Sequence, residues 1–162
     1  MNPAEHLLEK YPCLVEKDLE ELLSIASFHE VQAGENLVSI GELNFNYFLV
    51  IQGLLRNSVI DSKGEERTVL FTKEGEVSGS HHCVIMNLPS IENIVTLEPG
   101  LVASYDSLEV YRLSLENTNI LRLQRDSYRE NLSKEINKNL MHTTMSPEKR
   151  YLHLLEESPE IL

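Results

Sequence analysis

The spacing of apolar and polar positions changes twice along the chain, which divides the sequence into three zones. In the first zone, residues 7–28, apolar side chains recur at helical intervals and acidic residues occupy the opposite face. The apolar stripe consists of Leu19, Leu22, Leu23 and Ala26. This pattern predicts an N-terminal helix, in which Asp18 is an N-cap or first-turn residue.

Between residues 28 and 104 the apolar period changes to two, which is the period of β-strands. The β-rich runs are NLVSI, FNYFLVIQG, LLRNSVI, RTVLF, IENIVTL and LVASY. Glycines punctuate them at positions 34, 41, 53, 64 and 75, and this regular spacing is typical of an antiparallel sandwich or roll. The segment DSKGEE, residues 61–66, predicts a hairpin turn in which Gly64 takes a positive φ.

The helical period returns at Leu108. Residues 116–145 contain no glycine or proline, so one long helix is predicted there. A narrow apolar seam at spacing four runs along it, formed by Tyr128, Leu132, Ile136 and Leu140. Such a seam suits the meeting of two helices and predicts a homodimer, the alternative being a helix that lies on its own sheets. A second helix is predicted to begin at Ser146, with Pro147 in its first position.

Charge and cysteine content narrow the class of protein. The net charge of −12 argues against nucleic acid as a partner for most of the surface, although residues 119–150 carry a net charge of +3. That basic segment is either a solvated helix face or a face that lies beside DNA or the partner's acidic domain. No apolar run is long enough to cross a membrane and no signal peptide is evident, so a cytoplasmic location is expected, with Cys13 and Cys83 as free thiols.

The stretch KEGEVSGSHHCVIMNLPSIEN, residues 73–93, carries the densest candidate chemistry: glycines, hydroxyls, two histidines and a cysteine. Three consecutive side chains on a helix cannot converge on one ion, so HHC is not expected to bind a metal. The sequence also lacks the HxH pair of a cupin metal site, the GxSxG of a hydrolase and the Lys-Ser/Thr of a P-loop. An enzyme is therefore not expected.

The order of elements and the glycine framework resemble the catabolite-activator/FNR family of bacterial regulators, over residues 15–160. The residues in register with that family are Gly34, Glu35, Gly41, Tyr47, Gly53, Arg56, Gly64, Glu65, Glu74, Gly75 and Glu76. The resemblance implies an α+β fold: an antiparallel β-roll or jelly roll (double-stranded β-helix), flanked by an N-terminal helix and a long C-terminal dimerisation helix.

The family's organisation implies three segments in this chain. Residues 1–115 correspond to the cyclic-nucleotide-binding-like roll with its N-terminal helices, and residues 116–145 to the dimerisation helix. Residues 146–162 correspond to the start of a linker to a winged helix-turn-helix that binds DNA. No recognition helix follows Leu162, so we expect either a shortened regulator or a sensor without its DNA-reading domain, and the end of the sequence as the second helix completes favours the shortened regulator. The implied function is effector sensing and dimerisation in a transcription regulator.

In family members that bind a cyclic nucleotide, a glutamate after the cradle glycine holds the ribose and an arginine ten residues later holds the phosphate. The matching positions here are Gly79, Ser80 and Ser90, and no Lys or Arg occurs between Glu74 and Leu101. A buried phosphate without a counter-charge is costly, so tight cAMP binding is not expected. No cofactor is implied, and the effector, if one binds, is unknown.

The resemblance gives a candidate effector pocket. It consists of Gly79, Ser80, His81, His82, Pro89, Ser90 and, on the long helix, Asn137. A protonated histidine at position 81 or 82 would partly replace the missing positive charge, and Cys83 is expected to be a small buried hydrophobe. Two alternatives to a sensor are a ligand-free degenerate scaffold and a cupin-like metalloenzyme.

Overall fold

The computed structural model describes residues 3–157, which form six helices and eight strands. The helices are α1 (Pro3–Lys10), α2 (Glu16–Ser24), α3 (His81–Val84), α4 (Ser107–Glu116), α5 (Thr118–Thr144) and α6 (Pro147–Glu157). The strands are β1 (Ala26–Val31), β2 (Asn36–Val38), β3 (Asn46–Gln52), β4 (Leu55–Ile60), β5 (Glu66–Thr72), β6 (Val77–Ser78), β7 (Glu92–Thr96) and β8 (Gly100–Asp106). Two compact units are present, Met1–Leu121 and Arg122–Leu162.

All described strand pairs are antiparallel and form two four-stranded sheets, in the orders β1-β8-β3-β6 and β2-β7-β4-β5. Strands distant in sequence are neighbours in each sheet; β1, for example, pairs with β8 from Ala26–Tyr105 to Val31–Gly100. Among these pairs, only β4–β5 is a simple hairpin between consecutive strands. The predicted α+β fold with an antiparallel roll is therefore confirmed.

The core lies between the inner faces of the two sheets. Its cluster consists of Val31, Val38, Phe48, Val50, Leu55, Ile94 and Val102, with Leu37 packed against it. Each of these side chains is at least nine-tenths buried except Leu37, and each fully buried aliphatic side chain contributes about 1.5–3 kcal/mol to folding. Every one of the clustered residues comes from a strand, so the roll is held together by the period-two pattern of its strands.

The predicted single N-terminal helix is wrong in its extent, because the chain forms two helices and then enters β1 at Ala26. The break contains Pro12, and α2 restarts after Val15, whose N–H donates to the Asp18 carboxylate at 2.8 Å. Asp18 is thus a first-turn residue of α2, as predicted. Leu19 and Leu22 are buried as expected, but Leu23 is 47% exposed.

The hairpin turn predicted at residues 61–66 is confirmed. Gly64 has φ +81°, which is the left-handed region that favours glycine. The Asp61 carboxylate accepts hydrogen bonds from the N–H groups of Lys63 and Glu65, at 2.8 and 3.0 Å. Those bonds and the side chain of Arg67 hold the pKa of Asp61 below its usual value.

The long helix predicted over residues 116–145 is confirmed as α5, 27 residues long. Asn117 separates it from α4, a helix that the sequence had indicated only as a return of the helical period. Ser146 precedes α6 and Pro147 is its first residue, as predicted, although the linker predicted over residues 146–162 extends beyond the described residues. Within the described residues, none of the helices combines the length and apolar character that spanning a membrane requires.

Candidate functional site

The candidate site is the segment that follows β6. Ser78 ends the strand, Gly79 and Ser80 follow, and α3 begins at His81. A Cβ at position 79 would lie 3.1 Å from the carbonyl oxygen of Asn46 and 3.3 Å from the ring of Tyr47. Glycine is therefore favoured at position 79, because the segment that follows β6 passes close to β3.

Ser80 has an extended backbone and a completely buried side chain. Its hydroxyl makes no hydrogen bond, and it does not cap α3. A buried hydroxyl without a partner carries a desolvation penalty of about 1–3 kcal/mol. The position that the family resemblance assigns to a glutamate thus holds an unpartnered polar group.

The two histidines have different surroundings. His81 is exposed, whereas His82 is partly buried and its Nδ1 lies 3.2 Å from the carbonyl oxygen of Pro89. The ring nitrogen donates in that contact, because the carbonyl can only accept. His82 therefore ties α3 to the loop that precedes β7.

Cys83 is fully buried, as predicted, and its thiol contacts the loop before β3. The Sγ donates to the Glu42 carbonyl at 3.4 Å and accepts from the Asn44 N–H at 3.5 Å. Both Cys13 and Cys83 are free thiols, as predicted. Among the described residues, no group of three His, Cys, Asp or Glu side chains is arranged to hold a metal ion.

Ser90 occupies the position that the resemblance assigns to the phosphate-binding arginine. It is 2% exposed, and its hydroxyl donates to the Glu92 carbonyl at 2.7 Å and accepts from the Glu92 N–H at 3.2 Å. Its backbone bonds Gly41 and Glu42 at 2.7 and 2.8 Å. Ser90 therefore fixes the entry into β7 and supplies no positive charge.

Two polar residues of this region that the sequence analysis missed are Asn57 and Glu92. The Asn57 amide donates to the Glu92 carboxylate at 2.9 Å, and its oxygen accepts from the Ser78 hydroxyl at 3.1 Å. The alternation of strand faces could have revealed them, because Asn57 lies two residues from Leu55 and Glu92 lies two residues from Ile94. Both polar residues thus share a strand face with a core residue.

The positive charge of the arginine on β4 does not compensate the negative charge of Glu92. Arg56 is adjacent to Asn57, so it projects to the other face of the sheet, where its guanidinium pairs with Glu66 at 3.0 Å. The Ser58 hydroxyl also bonds Glu66, at 2.6 Å. The hydrogen bond from Ser58 and the charge of Arg56 together outweigh burial and lower the pKa of Glu66.

Six of the seven predicted pocket residues lie on one segment of the first unit, from Gly79 to Ser90, and their role as a pocket stays a prediction. The seventh, Asn137, is exposed on α5 in the second unit, and its role stays a prediction. The seam residues of α5 also lie in that unit and are exposed. Their exposed fractions are 41% for Tyr128, 62% for Leu132, 51% for Ile136 and 56% for Leu140.

By sequence, no protein-family model and no curated protein matches this chain. Solved structures do match its fold. The catabolite activator protein of Thermus thermophilus matches with a TM-score of 0.66 and 18% identity, over 80% of this chain and 61% of that chain. The sensor domain of the transcriptional regulator DNR from Pseudomonas aeruginosa matches with a TM-score of 0.64 and 17% identity, over 82% of this chain and 86% of that one. The chain has this sensor-domain fold.

The same fold extends to a kinase regulatory domain. The regulatory domain of Toxoplasma gondii PKA, solved with cAMP, matches with a TM-score of 0.58 and 20% identity, over 67% of this chain and 42% of that chain. The chain therefore spans less than two thirds of the catabolite activator protein and of the PKA regulatory domain. The resemblance to a cyclic-nucleotide-binding-like sensor domain is confirmed at the level of the fold.

Proposed function

We propose that this chain is the effector-sensing and dimerisation part of a transcription regulator. The observation that carries the proposal is the match to the DNR sensor domain, which covers 86% of that domain and 82% of this chain. In this proposal an effector in the roll changes how two long helices pack, and DNA is bound through a further domain. Such coupling requires an effector that prefers one arrangement of the dimer.

The proposed effector is not cAMP bound tightly. Ser80 and Ser90 supply hydroxyls where a cyclic nucleotide would need a carboxylate and a guanidinium. Backbone amides and a helix end contribute only about 1–2 kcal/mol to binding an anion, which does not compensate for the missing arginine. The carboxylate of Glu92 in the same region adds repulsion of a phosphate.

A thermal-shift screen of nucleotides, small acids and small bases tests the sensor proposal, because a ligand that binds only the native state raises its melting temperature. At least one small ligand is expected to stabilise the protein, while cAMP leaves the melting temperature unchanged. Sub-micromolar affinity for cAMP in isothermal titration would contradict the proposal for the pocket. A screen in which no ligand stabilises the protein would favour the degenerate scaffold.

The remaining parts of the proposal concern location and chemistry. Free Cys13 and Cys83 support a reducing, cytoplasmic setting. We assign no catalytic role, because the structures that share the fold are described as regulators and regulatory domains. Elemental analysis of the purified protein tests the cupin-like alternative, which requires a bound metal at about one equivalent.

A further inference from the structure

Three polar residues face the interior of the roll. In the β4–β7 pairing, Asn57 is opposite Ile94 and Val59 is opposite Glu92. Opposed residues of an antiparallel pair share a face, and so do residues two apart on one strand. Since Ile94 belongs to the core, Asn57 and Glu92 also face inward. Ser78 is opposite the core residue Phe48 in the β3–β6 pairing and faces inward from the other sheet.

These residues form a hydrogen-bonded chain across the roll. The Ser78 hydroxyl donates to the Asn57 oxygen, and the Asn57 amide donates to one oxygen of the Glu92 carboxylate. Ser78 is 4% exposed and Asn57 is 2% exposed, while Glu92 is only partly buried. The carboxylate is therefore held in one orientation and remains accessible.

The charge of Glu92 has no partner in the described part of the chain. Among those residues no Lys, Arg or His side chain forms an ion pair with it, and its second oxygen receives no hydrogen bond. The cradle segment, residues 74–101, has four glutamates and no lysine or arginine. A partly desolvated carboxylate attracts a cation more strongly than one in bulk water and repels an anion.

A buried hydroxyl that follows this chain in sequence also lacks a partner. Ser80, two residues after Ser78, is 0% exposed and makes no hydrogen bond to the described residues. Thr72 is likewise buried and unpartnered, but it is opposite Leu55 and so lies far along β4 from Glu92, which is opposite Val59. Buried polar groups in native proteins are nearly always hydrogen-bonded, so the Ser80 hydroxyl is available to a water or to a bound molecule.

We propose that the interior of the roll binds a small organic cation, with Glu92 as its counter-charge. The ligand carries a protonated amine or amidine, whose N–H groups donate to the free oxygen of Glu92 and to the hydroxyl of Ser80. Asn57 and Ser78 are positioning residues that orient the carboxylate. This assignment rests on the proposed effector-sensing function and specifies its ligand.

The first experiment uses the full chain and three probes of matched shape: benzylamine, benzyl alcohol and benzoate. Binding is followed at pH 7 by amide chemical shifts and by the melting temperature. Benzylamine, which is protonated at this pH, is expected to shift the amides of residues 78–80 and 92 and to raise the melting temperature. Benzyl alcohol is expected to bind more weakly, and benzoate is expected not to bind.

The second experiment compares Glu92→Gln with Glu98→Gln. The glutamine side chain in the first variant retains the size of the glutamate and an oxygen for the Asn57 amide but removes the charge, so the affinity for benzylamine is expected to fall by about tenfold or more. Glu98 is an exposed glutamate of the same segment, and its substitution is expected to leave the affinity unchanged. Equal affinity in wild type and Glu92→Gln would overturn the proposal, and the comparison of probes on wild type stands even if a variant fails to fold.

The outcomes of these two experiments distinguish a failure of the cationic-ligand proposal from a failure of the effector-sensing function. Binding of benzoate or benzyl alcohol as tightly as benzylamine overturns the cationic ligand while leaving an effector-binding roll. Absence of any shift with all three probes overturns the cationic ligand as well, and the nucleotide and acid screen then decides whether a sensor or a scaffold remains. Charge-selective binding that Glu92→Gln abolishes supports both proposals.

Discussion

At the scale of single residues, the roll depends on glycines for two different reasons. Gly64 is needed for its positive φ in an open turn, whereas Gly79 and Gly100 are needed because another segment of backbone passes close by. A Cβ at position 100 would lie 2.1 Å from the carbonyl oxygen of Gln52, well inside any real contact distance. At position 79 the corresponding distance to Asn46 is 3.1 Å, which a small displacement would relieve.

We therefore predict that Gly100→Ala destabilises the protein more than Gly79→Ala does. The expected losses in the free energy of unfolding are about 3 kcal/mol or more at position 100 and about 1 kcal/mol at position 79. Urea denaturation with equal m values measures both. Glu98→Ala, an exposed neighbour, serves as the control and should change stability little. Equal losses at the two glycines would contradict the close approach to Gln52.

At the scale of elements, a polar cluster joins α2 to the start of α5. The Asp18 carboxylate, 3% exposed, accepts from the amides of Asn117 and Asn119 at 2.7 and 2.9 Å and from the Val15 N–H. Burial raises the pKa of Asp18, but the hydrogen bonds from Asn117, Val15 and Asn119 outweigh it and lower the pKa below its ordinary value. The ionised carboxylate is thus the form that stabilises the fold.

The Asp18→Ala variant is predicted to lose about 1–3 kcal/mol of stability at pH 7, because the partly buried amides of Asn117 and Asn119 and the Val15 N–H lose an acceptor. A carboxylate with a lowered pKa contributes its full stabilisation above the unfolded value of 3.8 and loses it as the pH falls through the lower folded value. The difference in the free energy of unfolding between wild type and Asp18→Ala should therefore be constant from pH 7 to 5 and shrink below pH 4. Urea denaturation at each pH measures it.

The matched control for this substitution is Glu20→Ala, an exposed acidic residue of the same helix. Its effect should stay within about 0.5 kcal/mol at every pH. A difference between wild type and Asp18→Ala that grows as the pH is lowered would show that the cluster does not favour the ionised carboxylate.

In the described residues, the long helix α5 is stabilised by one buried side chain and by surface ion pairs. Ile120 is its buried residue, and its surface carries ion pairs one turn apart, such as Lys134–Glu130 at 3.1 Å and Lys138–Glu135 at 2.9 Å. Exposed pairs of this kind stabilise a helix by only about 0.3–0.5 kcal/mol each. A helix of 27 residues with an exposed apolar seam is therefore expected to gain most of its stability from a partner.

At the scale of the whole molecule, the second unit exposes large apolar side chains along both of its helices. They are Tyr128, Leu132, Ile136 and Leu140 on α5, and Tyr151 and Leu152 on α6. Contiguous exposed apolar side chains on one helix mark an interaction surface. The seam at spacing four continues for just over three turns, which suits a second copy of the same helix.

We predict that the wild-type chain is a homodimer and that Ile136→Asp and Leu140→Asp each shift it to a monomer, since a buried unpaired carboxylate in the seam is costly. Multi-angle light scattering at micromolar concentration measures the mass directly. Ser127→Asp introduces the same charge on the opposite face of the helix from Leu132, Ile136 and Leu140 and should remain dimeric. A monomeric wild type would refute the seam as a dimer interface.

Much of the fold was predictable from the sequence because its signals are local. The period of two, the regular glycines and the turn at Gly64 specify antiparallel strands without reference to distant residues. The strand β6 and the split of the first helix were not predicted. β6 is two residues long and exists through pairing with Phe48 and Leu49, and α1 ends at Lys10, two residues before Pro12, although the apolar spacing continues across the break.

At the candidate site, the sequence by itself showed that the charged residues that bind a cyclic nucleotide are missing. Only the tertiary structure showed that the Glu92 carboxylate is present there. The absence of arginine and glutamate at positions 90 and 80 is visible in the residues themselves. The contact between Asn57 and Glu92, 35 residues apart, depends on how β4 pairs with β7, and that register also decides which strand face is interior. Strand pairing is non-local, so a glutamate inside the roll and one on its surface look alike in sequence and differ only once the sheets are formed.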